Sequence, residues 1–243
     1  MSVSHRHALL LSLGVLAVGA TLYFLWDNWW VNWDGGFYLD LGQSLRRGEG
    51  LTLPDGSLAT FRGPGYPGLF ALGWTVLDVS AKTAIWLSRA VLLSTGVVVT
   101  YVVSRKGSLI AGALAGLAAI VPALVLESGG WYFVPDGLAS ALILGSIAVV
   151  LTERIPSGVG STLVVGVLCG AAVLSKETAV LYIPVVLLLL WVRLGQDRKA
   201  VSRGLGVFLI SLSATVGAWV WWLVVAGGPD VQPVGLSLET VIL

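Results

Sequence analysis

The chain has 243 residues, of which 56% are hydrophobic and 11% are charged. A soluble globular domain carries about 25% charged residues, so this composition indicates an integral membrane protein. The net charge of +1 gives no reason to expect a nucleic-acid partner. Cys169 is the only cysteine in the sequence, which excludes an internal disulfide and a thiolate metal cluster.

Seven apolar runs follow one another and predict an all-α, polytopic transmembrane helix bundle, a single domain over residues 1–243. A helix needs about 17 to 25 residues to cross ~30 Å of hydrocarbon, and the fourth to sixth runs are at or below this limit. The first run lacks a signal-peptide cleavage site and ends among tryptophans, so we expect a retained span with an aromatic belt. The runs lie at 8–26, 84–103, 108–126, 137–152, 159–175, 178–192 and 205–226.

The segment 66–79 of the long loop 27–83 decides the topology. As a helix it would be about 21 Å long, which is short for a span. If it lies on the membrane surface and the N-terminus is cytoplasmic, eight of the 14 basic residues but only two of the 13 acids are inside. If it spans, the basic cluster from Arg193 to Arg203 faces outward, against the positive-inside rule. We therefore predict a juxtamembrane helix, an outer first loop and an outer C-terminus in a multi-pass cell-membrane protein.

The absence of several catalytic and nucleotide-binding motifs limits the reactions that the chain could catalyse. The sequence contains no P-loop, no G-x-S-x-G and no H-E-x-x-H. Its two histidines, His5 and His7, belong to the cytoplasmic N-terminus, so neither serves an outer site. Acid–base chemistry on the outer face therefore requires carboxylates, supported by lysine, arginine or tyrosine.

Two acids on the predicted outer face are candidates for that chemistry. Asp34 stands among aromatic residues in NWDGGFYLD, where partial shielding from water would raise its pKa and suit it to accept a proton. It could instead cap a short helix predicted from Gly35 to Arg47. Asp136 opens the run 137–152 and could equally be an N-cap that gains from the helix dipole.

The same face carries candidate phosphate ligands. LSKETA puts Lys176 and Glu177 in a tight turn between two runs, where the lysine could bind a lipid phosphate, reach toward headgroups or pair with Glu177. Arg62 directly precedes the rigid GPGYP turn, which could aim its guanidinium at a phosphate, although most loop arginines have no such role.

These features, in this order, resemble the N-terminal membrane module of the GT-C superfamily of glycosyltransferases, over roughly residues 8–195. Tyr38 follows Asp34 by four residues, then come LGQSLRRGEGL, FRGPGYP and the juxtamembrane helix. Asp136 opens a later span, and SKETA precedes an apolar helix with Pro184. The branch most similar to this chain holds dolichyl-phosphate-mannose protein mannosyltransferases and the aminoarabinose transferases of lipid A.

The resemblance implies transfer of a sugar from a polyprenyl-phosphate donor to a protein, lipid or glycan acceptor, with inversion at the outer membrane face. It implies no nucleotide site and no obligatory metal, although Asp34 and Asp136 could together ligate a divalent cation. It assigns Asp34 as the base, Asp136 as the second acid, and Lys176 and Arg62 as phosphate ligands. The expected substrate-binding residues are Tyr38, Arg62, Tyr66, Lys176 and Glu177.

Two departures from the family leave other interpretations open. Many members carry a second acid after the first, where this chain has Gly35, and they are usually longer, so we expect a missing C-terminal part, a compact variant or a need for a partner subunit. The chain could also be a non-catalytic GT-C-like subunit. A small transporter or flippase is a further alternative, but it predicts charges near mid-membrane, whereas nearly all charges here lie at the ends of the runs.

Overall fold

The computed structural model describes residues 3–25, 33–59, 63–128, 136–152, 159–195 and 198–227. Within these ranges the chain is helical, and extended backbone pairs only in an isolated bridge between Thr52 and Leu58. The all-α prediction is confirmed.

Nine α-helices occur in the described ranges, and each predicted apolar run coincides with a helical segment. The sixth run is divided between a 3₁₀ helix, Glu177–Tyr182, and the α-helix that follows it. Proline is tolerated there because Pro184 lies in the first turn of that α-helix, where no backbone hydrogen bond is lost. The helices are α1 (His5–Leu25), α2 (Trp33–Arg46), α3 (Gly65–Gly73), α4 (Ala81–Lys106), α5 (Leu109–Ser128), α6 (Asp136–Thr152), α7 (Val159–Ser175), α8 (Ile183–Leu194) and α9 (Arg198–Gly227).

Within the described ranges, four helical segments are long and apolar enough to cross a membrane, which indicates a membrane protein. They are His5–Tyr23, Ala81–Lys106, Glu177–Leu194 and Arg198–Trp221. Three further apolar stretches of 10–17 residues belong to α5, α6 and α7. These three correspond to predicted spans but are shorter than the other four.

The first loop contains two of the helices. α2 matches the short helix predicted to follow the first span. α3 has nine residues, about 14 Å, and is shorter than the helix predicted over 66–79. It ends where the backbone N–H and the hydroxyl of Thr75 both donate to the carbonyl of Leu72, three residues earlier, in place of the next α-helical bond. A helix of this length does not reach across a bilayer.

α1 and α4 run antiparallel along each other. At one end the His5 ring lies 2.7 Å from the Tyr101 hydroxyl, and Arg105 donates a hydrogen bond to the carbonyl of Val3. Further along, a Cβ on Gly19 would lie 2.6 Å from the side chain of Leu93. The opposite end of α1 therefore lies beside the first turns of α4.

Small residues bring two further helix pairs together. A Cβ on Gly112 would lie 1.8 Å from Ser104 Oγ, and one on Gly116 would lie 1.8 Å from Thr100 Oγ1. The G-x-x-x-G spacing in α5 predicts close packing, and α5 does pack closely on α4.

Gly166 of α7 meets α9 in the same way, since a Cβ there would lie 1.9 Å from Ser211 Oγ. Cys169, one turn later, is buried with its sulfur 3.6 Å from Ser146 Oγ, so it acts as a small packing residue.

Candidate functional site

α2 and α3 are joined by a row of buried aromatic rings. Tyr38 packs edge-on against Tyr66 with the ring centroids 5.1 Å apart, and Tyr66 packs against Phe70 at 4.7 Å. Phe70 lies 5.8 Å from Trp74, and all four side chains are buried. Aromatic pairs of this kind contribute about 0.5–1.5 kcal/mol each beyond their buried area. The stretches NWDGGFYLD and FRGPGYP are therefore held against each other.

The glycine–proline turn before α3 packs its backbone on the end of α7. A Cβ on Gly63 would lie 2.0 Å from the carbonyl oxygen of Leu174, and one on Gly65 would lie 2.5 Å from Ser175 Oγ. Neither position has room for a side chain. The first loop is thus docked on the two residues that directly precede Lys176.

Tyr66 also ties the first loop to α4. Its hydroxyl lies 2.9 Å from the hydroxyl of Ser88, which itself donates to the carbonyl of Ala84 at 3.0 Å. The single hydroxyl proton of Ser88 is used in that bond, so Tyr66 is the donor to Ser88. Tyr66 and Tyr38 are each 2% exposed. Both side chains are buried in the contacts that hold the first loop in place. Direct contact of either tyrosine with a substrate stays a prediction.

Lys176 lies between α7 and the 3₁₀ helix, in extended conformation (φ −151°, ψ 123°), and is half-buried. It lines one end of a groove of about 380 Å³ between α6 and the 3₁₀ helix. The α6 wall follows one helix face from Ala139 to Ile147, about 12 Å along the axis. The remaining lining residues are Ser140, Ile143, Leu144, Thr178, Ala179 and Tyr182. The groove therefore combines a cation at one end with a mainly apolar wall.

Glu177, the first residue of the 3₁₀ helix, is exposed. No ion pair between Glu177 and Lys176 occurs among the described contacts, and the choice among the possible roles of the lysine stays open. Among the described residues the salt bridge is instead that of Arg47 with Glu49, at 2.8 Å in the first loop. Arg47, which belongs to the stretch LGQSLRRGEGL, is thus already paired.

The two predicted acids stand at helix starts. Asp34 is the second residue of α2, inside the helix and not its N-cap, and Asp136 is the first residue of α6. An acid in a first turn is stabilised by the helix dipole. The side chains of both acids, and the whole of Arg62, lie outside the described part of the structure. Their roles as base, second acid and phosphate ligand, and the raised pKa of Asp34, stay predictions.

A further acid in the first loop, Asp55, forms its hydrogen bonds within the loop. Asp55 accepts hydrogen bonds from the hydroxyl of Ser57 at 2.6 Å and from its backbone N–H at 2.9 Å. These two bonds lower the pKa of the Asp55 carboxyl. Gly56 between them has φ +85°, so this stretch forms a turn.

Arg89 was not among the residues singled out from the sequence. The side chain is 2% exposed and lies in α4, eight residues after the helix begins. Its guanidinium carbon is 5.4 Å from the ring centroid of Tyr23 on α1 and 5.6 Å from that of Trp86. An ionisable residue inside a membrane-crossing helix is a functional candidate. The available signal was that Arg89 is the only charged residue in the apolar run 84–103.

The described side chains contain no group of three His, Cys, Asp or Glu residues that could hold a metal ion. Because Asp34 and Asp136 are not among those side chains, a divalent cation between them stays a prediction.

Comparisons of the chain with protein-family models, with curated proteins and with solved structures found no match. The resemblance to the GT-C superfamily therefore depends on the short sequence motifs alone.

Proposed function

We propose that the chain is an integral-membrane glycosyltransferase, or the N-terminal part of one, that transfers a sugar from a polyprenyl-phosphate donor to a protein, lipid or glycan acceptor. The observation that carries this proposal is the groove that begins at Lys176 and continues along the apolar face of α6. Such a groove fits a ligand with an anionic head and a hydrocarbon tail.

Size and chemistry support the same ligand class. Ligand pockets usually measure about 300–1,000 Å³, and the groove, at about 380 Å³, is near the lower end of that range. It accommodates the first part of a prenyl chain, and the remainder lies among membrane lipids. Each buried CH₂ group contributes about 0.8 kcal/mol, while the ammonium of Lys176 attracts the phosphate as a point charge.

The proposed topology has seven GT-C-like spans: α1, α4, α5, α6, α7, the 3₁₀ helix with α8, and α9. The N-terminus is cytoplasmic, and the basic ends of α4 and α8 lie on the same side, in agreement with the positive-inside rule. α2, α3 and the start of α6 then lie at the outer face. The docking of the first loop on α7 supports this arrangement, because it brings the motif-bearing segments to one end of the bundle.

In the proposed reaction, an acceptor oxygen attacks the anomeric carbon opposite the phosphate. The new carbon–oxygen bond forms as the bond to the phosphate oxygen breaks, and that oxygen leaves with the electron pair. Asp34 takes the acceptor proton, while Lys176 and Arg62 stabilise the departing phosphate. Asp136 is the second acid at the outer face. The leaving group is already good, so alignment and charge stabilisation supply most of the catalysis.

Reconstituted vesicles supplied with polyprenyl-phosphate mannose and an acceptor peptide test the proposal. Loss of a general base costs about 10²–10⁴-fold, so Asp34→Asn should abolish measurable transfer while the protein still inserts. Lys176→Ala combined with Arg62→Ala should lose donor turnover. The matched control is Arg47→Ala, an outer-loop arginine that pairs with Glu49 and is no part of the groove. Transfer that survives Asp34→Asn would reject this residue as the base.

The groove also supports a second function, that of a non-catalytic subunit that binds a lipid phosphate. Such a subunit needs Lys176 and the apolar wall but neither acid. A wild-type chain that binds polyprenyl phosphate through Lys176, yet transfers none of the expected sugars with any acceptor, would have this function.

A small transporter is the third candidate, and the charge in α4 bears on it. A transporter places functional charges near the bilayer midplane. Arg89 is about 12 Å from the start of a 26-residue helix and about 7 Å from its middle. This position is compatible with a transport site as well as with an outer-face site.

A further inference from the structure

α7 and α9 run parallel and pack closely on each other. A Cβ on Gly166 would lie 1.9 Å from Ser211 Oγ, and one on Gly170 would lie 2.7 Å from Thr215 Cβ. The contact thus advances by four residues on both helices, which is possible when the two run in the same direction. The first residues of α7 and α9 therefore point to the same end of the bundle.

A second groove, of about 530 Å³, opens on the exposed side of this helix pair. α7 contributes Val159, Leu163 and Val167 to it, all of them exposed. α9 contributes the face from Val207 to Thr215, about 12 Å along its axis. The groove is thus an apolar furrow that begins beside the first residue of α7.

The hydroxyl groups in the wall do not make the furrow polar. The hydroxyl of Ser211 donates to the carbonyl of Phe208 at 2.9 Å, and that of Thr215 donates to the carbonyl of Ser211 at 2.8 Å. Each hydroxyl has a single proton, which is used inside α9. The furrow therefore suits a hydrocarbon chain better than a polar ligand.

Cations lie on the same face of α9, next to the end of the furrow. Arg203 precedes Val207 by four residues, about 6 Å along the axis, and Lys199 precedes Arg203 by four more. Both side chains are exposed. The first turns of α7 and α9 contain no acid, so the positive ends of two helix dipoles add to this charge. An anionic group is therefore attracted to this end.

We propose that the furrow binds an anionic phospholipid, with one acyl chain between α7 and α9 and the phosphate at Arg203 and Lys199. α7 has 17 residues, about 25 Å, and separates this end from Lys176. The lipid site is therefore distinct from the proposed donor groove. Its pairing of cations with an apolar furrow does not depend on sugar transfer or on the orientation of the chain in the membrane.

A second copy of the chain is a less suitable occupant. Copies inserted in the same orientation would bring their own Arg203 and Lys199 to the same level, and like charges repel. The furrow is also about 12 Å long, whereas a helix that crosses the membrane needs a contact along much of ~30 Å. Charge and length both favour a lipid.

Native mass spectrometry of the delipidated protein tests the phosphate contacts. Phosphatidylglycerol and phosphatidylcholine with identical acyl chains are titrated separately, and phosphatidylglycerol should bind more tightly. Each cation near a membrane surface contributes about fivefold in affinity for an anionic lipid. Arg203→Gln should therefore weaken phosphatidylglycerol binding about fivefold, and Arg203→Gln combined with Lys199→Gln about 25-fold. Neither variant should change phosphatidylcholine binding.

Arg198→Gln is the matched control. Arg198 is also exposed but lies about 140° around α9 from Arg203, on another face, so phosphatidylglycerol binding should be unchanged. A lipid held in the donor groove is recognised because Lys176→Ala removes it and Arg203→Gln does not. Equal affinity for the two lipids, or equal losses in Arg203→Gln and Arg198→Gln, would overturn the proposed site.

A bulky side chain in the furrow tests the acyl-chain contact. Ala214→Trp should abolish the selective binding of phosphatidylglycerol, whereas Ser213→Trp, at the exposed neighbour outside the lining, should leave it intact. If Ala214→Trp does not accumulate, Ala214→Leu replaces it. Unchanged binding in the Ala214 variant would contradict the proposal. A wild-type dimer that the same variant dissociates would assign the furrow to a second copy of the chain and also overturn it.

Discussion

The docking of the first loop on α7 predicts opposite effects for two alanine substitutions in the same short helix. A Cβ on Gly65 would lie 2.5 Å from Ser175 Oγ, 2.7 Å from the Ser175 backbone nitrogen and 2.9 Å from the carbonyl carbon of Leu174. The serine hydroxyl can rotate away, but the two backbone atoms belong to the end of a packed helix. Gly65→Ala must therefore shift the loop as a whole.

The expected cost follows from that geometry. Overpacking a close-packed contact costs about 1–3 kcal/mol, so Gly65→Ala should lower the free energy of unfolding by about that amount. A change of 1 kcal/mol moves the melting temperature by about 2–4 °C in a chain of 150–250 residues. The difference is measurable by thermal unfolding of the purified protein in detergent.

Gly68→Ala is the matched control. Gly68 lies three residues further along α3, and a Cβ there would meet no atom within 4 Å. Alanine in a helix is more stable than glycine by about 0.5–1 kcal/mol, so this variant should be slightly more stable than the wild type. Equal stability of the two variants would refute the docking of the glycine–proline turn on α7.

Three further changes test other contacts. Tyr66→Phe removes the hydrogen bond to Ser88 and should cost about 1 kcal/mol, whereas Tyr182→Phe, at an exposed tyrosine, should leave thermal stability unchanged. Ile143→Trp adds bulk to the α6 wall of the groove and should weaken binding of polyprenyl phosphate, measured by native mass spectrometry. Unchanged binding would remove the groove from the donor site. Chelation with EDTA should leave transfer intact, because a phosphate leaving group held by cationic side chains needs no metal, and loss of transfer would assign a divalent ion to the outer acids.

The helices could be predicted from the sequence because each apolar run is long and bounded by charged or turn-forming residues. α7 matches its predicted run 159–175 at both ends. The early end of α3 was not predictable in this way, since it coincides with hydrogen bonds from Thr75 back to the carbonyl of Leu72 that the hydrophobic pattern does not report. Local pattern therefore identifies a helix, and specific capping contacts decide where it stops.

The contacts between distant segments were only partly predictable. Charge placement predicted a common face for the first loop, Asp136 and Lys176. No local signal indicated that Gly63 and Gly65 contact Leu174 and Ser175, more than a hundred residues away. Arg89 was missed for a related reason. Its sequence neighbours suggest a basic residue near a membrane boundary, and its enclosure depends on Tyr23 of another helix.

These long-range contacts connect the loop to the groove. Ser175, against which Gly65 packs, is the last residue of α7, and Lys176 directly follows it in extended conformation. The direction in which Lys176 leaves α7 is thus set at the same point where the loop is docked. Displacing the loop should reorient the cation as well as expose the aromatic row. Gly65→Ala should consequently weaken binding of polyprenyl phosphate along with stability, while Gly68→Ala should leave that binding unchanged. Binding that is unaffected in Gly65→Ala would separate the loop from the groove.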